Sequence, residues 1–365
     1  MARIAKKNAE AVPALPNFSD ELIGLNAPLK SLQQALQSKR LHSAYLLAGR
    51  QGIGKSKLAL QFAASLFSPQ MSHEPVEIDM FGEAVNAKNH DSEKLNIDWN
   101  APAISQMQNR SNPDFLYISP AYDDKKKRFK DLISAEEVRK ITRFTHLKAS
   151  NNWKIIIIDP VELMNNFAAN SLLKCLEEPP PQTIFLLISH NPSRLLPTIR
   201  SRCLNINFQS LSFADFTQIL SAKNVHENHN LLYHLTNGSV GLALELHHVD
   251  FVQYWQKLLE MLETPSNQRL SIIFNMAEKV NKDSNFLLKH WQLLVEFIMF
   301  DLAHFQATQL PRNNIIPQSL LHKSAPTKPH EAWLDIISEH SKLIDNAAIL
   351  YLDKKQVIIN SLSYF

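Results

Sequence analysis

Apolar positions along this chain follow one rhythm up to about residue 208 and another after it. In the first part, short unbroken apolar runs recur: SAYLLA at 43–48, DFLYISP at 114–120, WKIIIIDP at 153–160, TIFLLISHN at 183–191 and LNINF at 204–208. A strand covered on both faces reads as a continuous apolar run, which is the mark of a parallel sheet with helices on either side. Between the runs the spacing turns helical. Leu58, Leu60, Phe62, Ala63 and Leu66 follow the first run, and SAEEVRKITRFTHLKA carries a capping box, Ser134 with Glu137. ELMNNFAANSLLKCLEE is halted by Pro179, Pro180 and Pro181. Residues 19–40 read as a short helix, a turn and a second helix. Strands alternating with helices predict an α/β fold over residues 19–208.

From about Phe213 the pattern is helical throughout. FADFTQILSAKN and NHNLLYHLTNGSVGLALELHH form a small helical unit at 209–250. Residues 251–308 and 331–363 form a larger one within 251–365, split by a proline-bearing loop at 310–329. Residues 1–18 read as a frayed tail. From 68 to 113 the chain is polar with little periodicity, which predicts an insertion or surface loop.

Composition narrows the classes. An apolar content of 45% and a charged content of 20% suit a folded soluble protein of more than one domain. A net charge of +3 is too small to argue for nucleic acid by itself. No apolar run is long enough to cross a bilayer, and the amino terminus lacks the apolar core of a secretory signal. Cys175 and Cys203 make neither a disulfide framework nor a four-thiolate zinc site, so a reducing cytoplasm is the expected location. There are only seven glycines, and Gly24, Gly49, Gly52 and Gly54 fall early in the chain.

Three of those four glycines carry chemistry. In LAGRQGIGKS, Gly49, Gly52, Gly54, Lys55 and Ser56 have the spacing of a phosphate loop between a strand and a helix. Backbone N–H groups would face an anion, Lys55 would reach terminal phosphates, and Ser56 would ligate Mg²⁺. Asp159, ending four isoleucines, is the candidate that holds Mg²⁺ through water. Pro160 stands where ATP-splitting enzymes often carry a water-orienting acid, and Glu162 is expected to point elsewhere. The basic run Lys125–Arg128 with Lys130 is flanked by Asp123, Asp124 and Asp131, and reads as a solvated hairpin tip or loop. His226, His229, His234, His247 and His248 fall at varied helical phases and are not expected to bind metal. The same holds for His73, His90 and Asp91.

The stretches ANSLLK at 169–174, LEEPP at 176–180 and Ser201-Arg202-Cys203, together with RLHSAYLLAGRQGIGKSKLA, resemble the ATPase core of bacterial DNA polymerase III clamp-loader subunits, the delta-prime type above all. The resemblance covers about residues 19–250. It implies an AAA+ fold: a parallel-sheet P-loop domain, a helical lid and a helical collar that packs subunits into a ring. It implies hetero-oligomeric partners, a sliding clamp, and primer-template DNA reached through the assembled complex as part of the polymerase holoenzyme. Arg202 would be an arginine finger supplied in trans to ATP held by a neighbouring subunit. Members that split ATP have an arginine where this chain has Gly241, and their usual zinc cysteines are missing from 68–113. Asn191, in Ser189-His190-Asn191, could serve as a polar sensor. The resemblance therefore implies a subunit that binds ATP and Mg²⁺ at most, with little hydrolysis and no zinc. The alternative is the ATP-hydrolysing motor subunit of the same loader.

Overall fold

The computed structural model describes residues 15–38, 40–68, 94–120, 122–123, 128–129, 132–146, 149–150, 153–350 and 352–365. Most of the amino-terminal tail, the heart of the polar insertion with His73, His90 and Asp91, and most of the basic run lie outside them. The chain divides into two compact units between Leu211 and Ser212.

The first unit opens with α1 (Asn26–Gln37), β1 (Ala44–Ala48) and α2 (Lys55–Phe67), followed by α3 (Pro102–Gln108) and β2 (Phe115–Ile118). A two-residue stretch β3 (Tyr122–Asp123) pairs antiparallel with β4 (Arg128–Phe129). Then come α4 (Ala135–His146), β5 (Lys154–Ile158), α5 (Asn166–Glu177), β6 (Thr183–Ser189), the short α6 (Pro197–Arg200) and β7 (Leu204–Asn207). The large strands form one sheet in the order β2-β5-β6-β1-β7, every neighbouring pair parallel.

Ile155, Ile156, Ile157 and Ile158 are each fully buried, as a two-sided sheet requires. Alternation sorts them by face. Ile156 and Ile158 join Leu46, Phe185 and Leu187 in a core with Val138 and Ile141 of α4 and Ala168 and Leu172 of α5. On the opposite face Tyr45 meets Phe62 of α2 edge to face, with ring centroids 5.9 Å apart. Crossover helices thus cover both faces, and the loops at the carboxyl ends of the strands are left to build a site.

Several boundaries differ from the pattern reading. Residues 19–25 are not helical, because side chains take up the backbone groups there. Gln61 Nε2 donates to the carbonyls of Phe18 and Asp20 at 2.7 and 2.8 Å, and Phe18 is buried. Within the polar stretch 68–113, α3 is a genuine helix, with Pro102 in its first turn and Ile104 and Met107 buried. Two apolar anchors in a seven-residue helix are too few to show a period. The helix expected from 162 starts at Asn166, where Asn165 Oδ1 accepts from the Ala168 N–H at 2.8 Å. The capping pair at α4 holds in part: Glu137 Oε2 accepts from the Ser134 N–H at 2.8 Å.

The second unit is helical: α7 (Phe213–Ala222), α8 (His229–Thr236), α9 (Val240–His248), α10 (Val252–Glu263), α11 (Arg269–Lys282), α12 (Leu288–Thr308), α13 (Gln318–Ser324), α14 (His330–Leu350) and α15 (Lys354–Leu362). The expected loop at 310–329 contains α13. The long α12 and α14 pack together, as do α11 and α15. Trp291, Phe297 and Ile298 are buried inside this unit, while Phe300 is 41% exposed. Polar groups serve as braces. Asp301 pairs with Arg312 Nε at 2.7 Å, and Lys354 Nζ donates to the carbonyls of Val280, Asp283 and Phe286, closing the end of α11. Glu245 of α9 pairs with Lys289 of α12.

Candidate phosphate-loop site

The site forms where β1 ends and α2 begins. The Gly49 N–H donates to the Ser189 carbonyl at 3.2 Å, tying the end of β1 to the end of β6. A side chain at Gly49 would meet the Phe208 carbonyl at 2.7 Å, so only glycine fits. Gly54, at φ +98°, turns the chain into α2.

Lys55 opens α2 and is only 3% exposed. Its Nζ donates to the carbonyls of Gly49 at 2.7 Å and Arg50 at 2.5 Å, so the lysine folds back onto its own loop. Burial lowers its pKa to about 8, against the opposing charges of Asp159 and Glu162. Ser56 Oγ donates to Asp159 Oδ2 at 2.5 Å, although the two residues lie 103 positions apart. A hydroxyl beside a carboxylate at a helix N-terminus is a hard-oxygen donor set of the kind that holds hydrated Mg²⁺ against phosphate. The structure thus brings Lys55 and Ser56, at the end of the turn that holds Gly49, Gly52 and Gly54, beside Asp159.

Residues outside the motifs complete the site. Tyr117, on β2, donates its hydroxyl to the same Asp159 Oδ2 at 2.7 Å. Burial and the adjacent Asp159 push that phenol far above its ordinary range. The Arg110 guanidinium stands 5.0 Å from the centre of the Tyr117 ring. Glu162 turns to the end of β6, where its Oε1 accepts the N–H groups of His190 at 2.6 Å and Asn191 at 3.1 Å. A 3₁₀ turn over Val161–Leu163 supplies the bend that brings it there. The His190 ring lies close enough to Lys55 for burial and that charge together to lower its pKa. Its Nδ1 is buried without a hydrogen-bond partner. Asn191 is exposed, and its Oδ1 accepts from Ser193 Oγ at 2.5 Å.

The only advance signals of these additions were weak. Tyr117 is a hydroxyl inside an apolar strand, and His190 directly follows the last residue of β6. Neither pattern separates a site residue from a packed one.

Arg202 follows α6, away from this cluster in sequence, and is half-buried. Its Nη2 pairs with Glu177 Oε1 at 2.8 Å and its Nη1 donates to the Thr198 carbonyl at 3.0 Å. Arg202 and Glu177 border an open cleft that also takes in His42, Ser43 and Cys203. Burial pushes the Cys203 thiol up to about 12, which keeps it protonated. Gly241 sits in the first turn of α9, whose cap Ser239 Oγ accepts from the Leu242 N–H at 3.2 Å. Among the described residues no group of three or more His, Cys, Asp or Glu side chains is arranged to hold a metal ion.

A family model described as "DNA polymerase III, delta subunit" matches residues 24–78 and 76–212. A DNA polymerase III subunit delta' of Pseudomonas aeruginosa is 36% identical over 178 residues, covering 47% of this chain and 46% of that one. One from Bacillus subtilis is 33% identical over 237 residues, covering 64% and 63% respectively. A tau/gamma subunit of Haemophilus influenzae is 29% identical over 213 residues, 58% of this chain and 27% of its own length. The chain thus spans from about half to just under two thirds of the length of the delta' relatives it matches. Among solved structures, a gamma subunit-related protein of Thermotoga maritima aligns over 92% of this chain and 97% of its own, at 17% identity and a TM-score of 0.45.

Proposed function

The chain belongs to the DNA polymerase III delta-subunit family, and on that premise we propose that it works as a delta-prime-type subunit of the clamp loader. In this reading it joins other loader subunits in a hetero-oligomeric ring in the cytoplasm. The ring places a sliding clamp on primed DNA, and contacts to DNA belong to the assembly. The segment 209–250 acts as lid and 251–365 as collar. Arg202 serves a neighbouring subunit's ATP, while this chain's own loop binds ATP with Mg²⁺ and turns it over little or not at all. Zinc has no part in it.

One observation carries the absence of turnover. Asp159 is followed by Pro160, and the nearest acid, Glu162, is bonded to two backbone N–H groups at the end of β6. A carboxylate held in that way is poorly placed to accept a proton from, or orient, an attacking water. The motor-subunit reading draws on the complete phosphate loop and on the tau/gamma relatives.

The two readings separate by ATP turnover. The full chain alone should show background hydrolysis. Added to the remaining loader subunits with clamp and primed DNA, it should raise theirs. Turnover by the isolated chain that Lys55→Ala abolishes would establish the motor reading instead.

A further inference from the structure

Resting on the reading of residues 49–56 as a nucleotide-phosphate loop, we infer that Tyr117 is a latch on the magnesium aspartate, and that it lets this loop take nucleotide with little help from Mg²⁺. The argument starts from the acceptor capacity of one oxygen. A carboxylate oxygen offers about two lone-pair positions for hydrogen bonds. On Asp159 Oδ2 both are taken, one by Ser56 Oγ at 2.5 Å and one by the Tyr117 hydroxyl at 2.7 Å. The bond from Ser56 is compatible with a metal, since the serine proton points to aspartate and its lone pairs point away. The bond from Tyr117 is different. It occupies a direction from which Asp159 would otherwise hold a water of the hydrated ion, leaving Oδ1 alone for that task, and an ion that keeps its own waters is anchored less firmly by fewer such bonds.

The latch is braced from outside the motif. Tyr117 lies on β2, with Ile157 of β5 as its register partner, so the sheet fixes its backbone beside the strand that carries Asp159. Arg110 stacks over its ring. Arg110 itself is set by the turn after α3, at φ 54°, with its N–H donating to the Met107 carbonyl at 3.0 Å. What remains for phosphate is the metal-independent part of the site: the N-terminus of α2, the glycine turn, and Lys55 once it leaves the carbonyls of Gly49 and Arg50.

Calorimetric titration of the full chain with ADP, in Mg²⁺ and in EDTA, tests this. For the parent, Mg²⁺ should tighten binding by less than about threefold. In Tyr117→Phe the EDTA value should stay put while Mg²⁺ tightens binding about tenfold or more. Arg110→Gln, which loosens the ring without removing the hydroxyl, should fall between them and serves should Tyr117→Phe not fold. A parent that already gains tenfold from Mg²⁺ overturns the latch, as does a Tyr117→Phe chain with the parent's ratio. If ADP binding is lost in Lys55→Ala while that ratio is unchanged, the loop reading stands and the latch alone falls. If neither parent nor variants bind ADP under either condition, both fall.

Discussion

In the sheet unit one set of buried and half-buried polar groups gathers at the loop after β1, whereas the polar pairs of the helical unit tie helices to loops and to helix ends. Lys55, Ser56, Asp159, Tyr117, Glu162 and His190 come from separate strands and loops, yet they interact around the start of α2. Asp301 is buried and Lys354 half-buried, but each serves to hold a loop or a helix terminus, Asp301 with the exposed Arg312. The difference follows from geometry. Parallel strands end side by side, so their carboxyl-end residues face a common crevice. Helices packed side by side leave orphan carbonyls at scattered ends, and each needs its own partner. Polar burial of the first kind points to chemistry, and of the second to rigidity.

The largest test of this contrast is Arg202→Ala. A finger acting directly on the transition state is worth about 10³ or more in rate, shared in a ring among several sites. Clamp- and DNA-stimulated ATPase of the reconstituted loader should collapse. Meanwhile the isolated chain should keep its stability to within about 0.5 kcal/mol, since the arginine is a surface group on a loop. Arg202→Lys should restore little, because an ammonium lacks the planar fork. A mutant ring loading clamps at the parent rate would leave Arg202 as a partner of Glu177 and nothing more.

Core deletions come next and should split the two units by consequence. Ile156→Ala should cost about 2–5 kcal/mol and Trp291→Ala about 3–5 kcal/mol in urea unfolding. Under conditions where both remain folded, only Ile156→Ala should also weaken nucleotide binding, because its strand sets the position of Asp159. Equal loss of binding in both variants would erase the proposed division of labour.

Arg312→Leu leaves Asp301, 1% exposed, without its ion pair and should cost about 3 kcal/mol near neutral pH. Burial already raises the Asp301 carboxyl above its ordinary pKa against the pull of Arg312. The folded state therefore binds the Asp301 proton more tightly than the unfolded state does. Stability from this group is full below the ordinary carboxylate pKa and is lost as pH rises through the raised value. The deficit of Arg312→Leu should accordingly shrink on acidification from neutral pH, read by urea midpoints across the range. A deficit that is flat or grows towards acid would show that Asp301 is not the group responsible. The smallest effect expected is none at all: dialysed protein should carry no stoichiometric zinc, as measured by elemental analysis, and one ion per chain would contradict the thiolate count.

Residue order alone marked the strands of a parallel sheet, the Gly-Lys-Ser turn between a strand and a helix, and Ser56 and Asp159 as candidates for one site. Unbroken apolar runs and a Gly-Lys-Ser turn leave little else for the backbone to do. It also determined that Pro160 follows Asp159 and that a glycine stands at 241. The tertiary structure decided the rest. Residues 19–25 stay out of a helix because Gln61 and Lys57, far along the chain, take the carbonyls of Asp20 and Glu21. Glu162 swings to the end of β6 because a 3₁₀ turn intervenes. Tyr117 reaches Asp159 because β2 lies beside β5 in the sheet, and no spacing along the chain encodes which strand ends become neighbours. Periodicity reports which face a residue takes, whereas strand order sets which other residues share the crevice at that face.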